Sequence, residues 1–161
     1  MTLIDCNGLP REDRWQYPQP EVQGDFHAHR VVPLEQADAC WAQRGDWPAA
    51  VWIGADQDTA VLPAWLGQCA VIVIGFPKSR DGRGFTLARR LRERQGFNGD
   101  LRAAGPLLPD QFSMLLQCGF TSLLASASVP PVRWQEAAHA CVQARGRPRT
   151  LLERLSQRNE A

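Results

Sequence analysis

One short segment concentrates the residues of this chain that could do chemistry: Phe76-Pro77-Lys78-Ser79-Arg80-Asp81-Gly82-Arg83-Gly84. It holds the only lysine, two arginines, an aspartate and two glycines, and it runs into a stretch with helical spacing. Unpaired amides at a helix N-terminus, together with the helix dipole, favour a negative charge. Gly82 and Gly84 let an anion approach the backbone. Lys78, Arg80 and Arg83 offer charge-assisted hydrogen bonds to it. Asp81 orients one of these cations or accepts a proton, which makes it the candidate catalytic residue. The simpler alternative is an Asp81-Gly82 turn with Asp81 capping the helix and the basic side chains facing water. The segment is not a dinucleotide fingerprint, because Leu87 stands where a third glycine belongs. Nor is it a Walker loop, since Lys78 precedes the glycines instead of following them.

Three further residues belong to the candidate site. Arg102 lies within an apolar run, Leu101-Arg102-Ala103-Ala104, where a buried guanidinium needs partners. It either points to the strand end near Lys78 and joins the anion site, or sits inert on an exposed edge. Asp110 and Gln111 open a helix just after that run, where an acidic residue suits the dipole.

Other chemistry finds little support. Cys6, Cys40, Cys69, Cys118 and Cys141 form no Cys-x-x-Cys, and His27, His29 and His139 do not stand at zinc-ligand spacing from a cysteine pair. Each cysteine reads as a small buried hydrophobe, and His139, among small residues, as a packed helix residue. No metal site, iron–sulfur cluster, flavin or nicotinamide fingerprint is present, so no cofactor is expected. No G-x-S-x-G elbow occurs either.

The elements that must position the loop follow a rhythm. Residues 1–30 read as an irregular arm with a hairpin at Asn7-Gly8. Pro33 opens a helix over residues 34–44, ended by Gly45. Residues 50–53 form a short buried strand, and residues 59–67 a helix capped by Asp58 or Thr59. The run at residues 70–76 is continuously apolar and β-branched, as in a strand covered on both faces. A helix over 85–95 presents Phe85, Ala88, Leu91 and Gln95 on one stripe and a solvated arginine face on the other. Strands at 100–104 and 121–125 and helices at 110–118 and 131–144 complete four βα units. The expected fold is α/β with a parallel sheet, either an open doubly wound layer or a half-barrel. Residues 31–146 form its single domain, followed by a polar tail at 147–161. Loops after the strand C-termini then share one edge, gathering Asp56, residues 77–84, Gly105, Ser126 and Ser128. An open sheet edge invites a homodimer.

Composition narrows the partners. The 161 residues are 44% hydrophobic and 22% charged, with net charge +1, as in one ordinary globular domain. The longest apolar run, Cys69–Pro77, is far short of a membrane helix. Met1–Asp5 has no basic region before an apolar core, so a cytoplasmic location is expected. Residues 78–110 carry eight basic and four acidic residues, +4, which leaves −3 for the remainder. A central basic segment in a near-neutral protein suits a small anion or an acidic partner surface more than nucleic acid.

Phe76-Pro77-Lys78, Asp81-Gly82-Arg83-Gly84-Phe85, Ala88-Arg89, Leu91-Arg92, Gly96-Phe97, Gly99, Leu101-Arg102-Ala103, Gly105, Asp110-Gln111 and Cys118-Gly119-Phe120 resemble a bacterial family of unknown function, DUF934. The match is strong over residues 70–125 and faint over 45–70. Members are often labelled oxidoreductases of sulfite reduction and are typically encoded beside an assimilatory sulfite reductase haemoprotein. The resemblance therefore implies a part in sulfite reduction, with that haemoprotein or its electron donor as partner. Pro106 and Pro109 stand where the family usually has Asp and Arg, so two charges near the loop are missing. Two readings are compatible with this pattern. One is a non-catalytic accessory that docks through the basic loop. The other is a small enzyme that binds an anionic sulfur or phosphorylated metabolite, or a redox partner of the haemoprotein.

Overall fold

A computed structural model describes residues 1–18, 26–58 and 62–145. Seven strands form one sheet: β1 (Thr2–Asp5), β2 (Pro10–Arg11), β3 (Val32–Pro33), β4 (Ala50–Gly54), β5 (Val71–Gly75), β6 (Asp100–Ala104) and β7 (Ser122–Ala125). The four α-helices are α1 (Ala37–Arg44), α2 (Arg83–Glu93), α3 (Phe112–Gln117) and α4 (Pro131–Arg145). The strand order is β2-β1-β7-β6-β5-β4-β3. Neighbours from β3 to β7 are parallel, whereas β1 runs antiparallel to both β7 and β2.

This order separates the two architectures left open by the sequence. A doubly wound sheet reverses direction part-way and carries helices on both faces. Here β3 to β7 advance without reversal, and α2, α3 and α4 pack on one side, as in a half-barrel. Period-two alternation assigns the faces. Val51, Ile53, Ile72, Ile74, Leu101, Ala103 and Leu123 share a core with Leu87 and Leu91 of α2, Phe112 and Leu115 of α3, and Trp134 of α4. The opposite face presents Ala50, Val71, Val73, Ala104 and Leu124 to Trp15 and Val31, with Tyr17 and Trp52 alongside. The N-terminal residues therefore take the place that a second helical layer holds in a doubly wound fold.

The hairpin expected at Asn7-Gly8 is present, and its first strand joins the sheet through four paired residues of β7. Gly8 has φ of 77°, and a Cβ there would stand 2.5 Å from the Trp134 carbonyl oxygen, so the turn sits directly on α4. Pro33 both ends β3 and caps the helical stretch expected over 34–44, whose first turn is 3₁₀ (Leu34–Gln36) before α1, which Gly45 closes at φ 77°. Of the helix expected over 59–67, residues 59–61 lie outside the described set. Its second half is a 3₁₀ helix (Ala64–Gln68), because Pro63 is extended at ψ 140° and breaks any earlier α-helical run. Helix α2 begins two residues earlier than the periodicity suggests. The first turn of the expected 110–118 helix is 3₁₀ (Pro109–Gln111). Both sheet edges, β2 and β3, are two residues long and carry a proline, which leaves little backbone for edge pairing with a second copy. The tail at 147–161 lies outside the described residues. Among the described residues, no helix is long and apolar enough to cross a membrane.

Candidate functional site

The parallel strands deliver their loops to one edge, and the loop after β5 is fixed there from three sides. Phe76 donates its backbone N–H to the Ala104 carbonyl at 2.7 Å. Its ring packs edge-on against Phe85, with centroids 5.2 Å apart, and beside Phe120. Gly84 is buried, and a Cβ there would lie 2.5 Å from the Phe76 ring. The carboxamide nitrogen of Gln111 donates to the Ser79 carbonyl, while its oxygen accepts from the Leu108 N–H at 3.0 Å. Gln111 is thus a brace between the β5 and β6 loops, with both ends of its amide occupied.

Within the loop, Asp81 and Arg83 form a closed pair. Arg83 donates from Nε at 2.9 Å and from Nη2 at 2.7 Å to the two carboxylate oxygens, and its backbone N–H bonds Oδ1 at 3.1 Å. The guanidinium hydrogen bonds, more than any other influence, hold the Asp81 carboxyl down at about 2. The Arg83 guanidinium is correspondingly raised by Asp81, with Asp56 adding a smaller pull from the end of β4. A carboxylate this acidic and this well paired is a poor proton acceptor at neutral pH. The turn-and-cap arrangement is the one adopted.

Lys78 and Arg80 differ from Arg83. Both are exposed, and among the described residues neither side chain is in an ion pair or hydrogen bond. Gly82 is also exposed, immediately before α2. Asp110 is exposed in the 3₁₀ turn, and Ser126 and Ser128 share a hydrogen bond of 2.9 Å on the neighbouring loop. The edge therefore offers, among the described residues, two exposed cations outside any ion pair, a neutralised Arg83–Asp81 pair, the Asp110 carboxylate and two hydroxyls. Pro106 and Pro109 add no charge beside them.

Arg102 does not join this edge. Its side chain points to the face opposite the helices, where Nε donates to Asp100 at 2.6 Å. Nη1 donates to Asp13 at 2.9 Å and to the Tyr17 hydroxyl at 2.6 Å. Tyr17 in turn donates to Asp13 at 2.5 Å, and Asp100 accepts from the hydroxyls of Thr121 and Ser122. Only 7% of the Arg102 side chain is exposed. The expectation of a strand arginine beside Lys78, or inert on an edge, gives way to a buried node that ties the N-terminal residues to the sheet. Neither Asp13 nor Tyr17 carries a local sequence signal as its partner, since they lie 89 and 85 residues upstream.

Arg92 also leaves the solvated face assigned to it. It donates from Nε to the Gly119 carbonyl at 2.9 Å and from Nη1 to the Phe97 and Gly99 carbonyls at 2.6 and 2.9 Å. Its guanidinium stacks 5.1 Å from the Phe97 ring centroid. Cys6 and His139 are exposed, not packed, whereas Cys40, Cys69 and Cys118 are buried. Burial pushes the Cys69 thiol up to about 12, which suits an inert core residue. Among the described residues, no group of three or more His, Cys, Asp or Glu side chains is placed to hold a metal ion.

The model of a family described as "Bacterial protein of unknown function (DUF934)" matches residues 50–144, more than half of the sequence. The chain belongs to the DUF934 family. The matched span runs from β4 into α4, so the DUF934 region contains the braced loop and Arg102 but not the hairpin or Asp13. None of the curated proteins matches. Among solved structures, a chain described as "Native KDPGal structure" is similar over 72% of this chain and 80% of that one. It is 14% identical, with a TM-score of 0.26, a level at which it carries no argument about chemistry.

Proposed function

We propose that the chain is a non-catalytic accessory of assimilatory sulfite reduction. In this reading Lys78 and Arg80, on the edge formed by the strand C-termini, dock an acidic surface of the sulfite reductase haemoprotein or of its electron donor. The observation that carries the docking reading is the division of labour within the loop. Arg83 is spent on Asp81, the loop is braced by Gln111, and Lys78 and Arg80 stand exposed outside any ion pair or hydrogen bond among the described residues, with Lys78 acting on Asp81 only through space. Rigid presentation of unpaired cations suits electrostatic recognition, which works through association rate and salt dependence. The same loop argues against a proton-transfer enzyme, because its only carboxylate is already occupied. The sulfite-reduction part is supported by the resemblance of residues 70–125 to proteins encoded beside the haemoprotein.

Association of the purified chain with the haemoprotein and with its electron donor, measured across a salt series, tests this reading. Lys78→Ala with Arg80→Ala should weaken binding about two- to thirtyfold, at roughly 0.2–1 kcal/mol per exposed charge pair, and flatten the salt dependence. Unchanged association of the double variant with both candidates would sink the docking reading. A rise in melting temperature with sulfite, sulfate or adenylyl sulfate, lost in the same variant, would favour the small-anion enzyme instead.

A further inference from the structure

At the opposite end of the sheet, near the start of β5 and β6, a groove of about 450 Å³ is lined by Glu12, Asp13, Arg14, Trp15, Ala70, Val71, Asp100 and Arg102. Arg102 is more than nine-tenths buried, and its Nε and Nη1 are taken by Asp100, Asp13 and Tyr17. Its Nη2 makes no hydrogen bond among the described residues and is not fully sealed from solvent, in a residue that lines the groove. A buried guanidinium with one free donor edge is an unfinished hydrogen-bonding site.

The groove's charge decides what completes it. Glu12, Asp13 and Asp100 face two guanidiniums, Arg102 and Arg14, the latter 5.6 Å from the Trp15 ring centroid. The described lining residues thus carry one net negative charge. A bare anion is repelled by the excess carboxylate, and a bare cation meets the free Nη2 donor. A small molecule with both charges satisfies both conditions. Trp15, Ala70 and Val71 add an apolar wall and floor. The volume is in the range of small-molecule sites.

We propose that this groove binds a small zwitterion of the α-amino-acid type. Its carboxylate accepts from Arg102 Nη2 and Arg14, and its ammonium faces Glu12, the lining carboxylate that Arg102 does not already hold. The site is independent of the Lys78 loop, which lies at the other end of the strands, and stands or falls separately from the docking reading.

Calorimetric titration and thermal shift of the full chain provide the test. The probes are alanine and serine as zwitterions, acetate and methylammonium as single charges, and N-acetylalanine methylamide with both charges removed. The zwitterions should bind and raise the melting temperature, while the other three should not. Arg102→Lys keeps the charge but removes Nη2, and should weaken zwitterion binding about tenfold or more. Its far-ultraviolet circular dichroism confirms that it folds. Glu12→Gln and Arg14→Ala, both exposed, should each weaken binding about two- to fivefold without unfolding the chain. No shift with any probe means the groove holds only water, and the proposal is overturned. Equal binding of acetate and alanine overturns it too, since the groove is then a plain anion site.

Discussion

Two arginine–aspartate contacts of similar length have opposite consequences because of where they lie. Arg83–Asp81 is on the surface, where water and salt screen it, and its effect is to set the loop's shape and remove Asp81 from acid–base work. In Arg102–Asp13 the guanidinium is buried, so removing the carboxylate leaves that cation with one carboxylate partner, Asp100, in place of two, in a poor dielectric. Asp13→Asn should cost about 1–3 kcal/mol at neutral pH in urea denaturation. Burial alone raises the Asp13 carboxyl, but the hydrogen bonds from Tyr17 and Arg102 outweigh it and bring it below its ordinary value of 3.8. A depressed carboxyl contributes in full above its unfolded value and loses that contribution as pH falls through the folded one. The stability gap between wild type and Asp13→Asn should therefore close as pH drops below about 4. A gap that persists unchanged in acid would mean the carboxylate charge is not what holds the arm. A strand arginine in the sequence announces that partners are needed, and Asp100, two residues earlier on the same face of β6, is the local one. The second carboxylate and the phenol come from another part of the chain.

At the level of elements, the β5 and β6 loops are built as one unit. Gly105 follows β6 with φ of 134°, and a Cβ there would overlap the Phe76 carbonyl oxygen. Strain and overlap act together at this position, so Gly105→Ala should lower stability by about 2 kcal/mol or more. The readout is the urea midpoint at unchanged slope. Gly82→Ala is the control, since nothing lies within 4 Å of its Cβ position and its backbone is helical. If both substitutions cost the same, the close approach of the two loops is wrong. The strands and α2 to α4 are legible from apolar runs and helical stripes, because those patterns are set by neighbours within a turn or a pleat. The 3₁₀ segment at Ala64–Gln68 is not, since helix-compatible residues there come after a proline whose extended conformation only the surrounding chain enforces. The Gln111 brace is equally hidden. Its position at a helix start suggests a ligand-binding residue, yet its amide is consumed by Ser79 and Leu108.

For the molecule as a whole, the sheet depends on the N-terminal residues more than their composition suggests. Strand β1 closes the open side of β7, Ile4 is fully buried, and Trp15 covers the second face. Deleting residues 1–11 should expose the β7 edge and produce self-association or loss of cooperative unfolding. Size-exclusion chromatography and near-ultraviolet circular dichroism would show either. A monomeric, cooperatively unfolding truncation would mean that β1 is dispensable.

What the sequence determined by itself was the α/β class, the order of the four central strands and of the α-helices, the family and the charge-rich loop with its turn. All of these rest on periodicity and on neighbours close in the chain. The tertiary structure decided that the sheet is singly wound, that its second face is covered by the N-terminus, and that Arg102 belongs there and not beside Lys78. Alternation along β6 requires that Arg102 and Leu101 face opposite sides, but which side is helical depends on how every crossover packs. A buried charge is then completed by whichever carboxylate the whole fold brings to it.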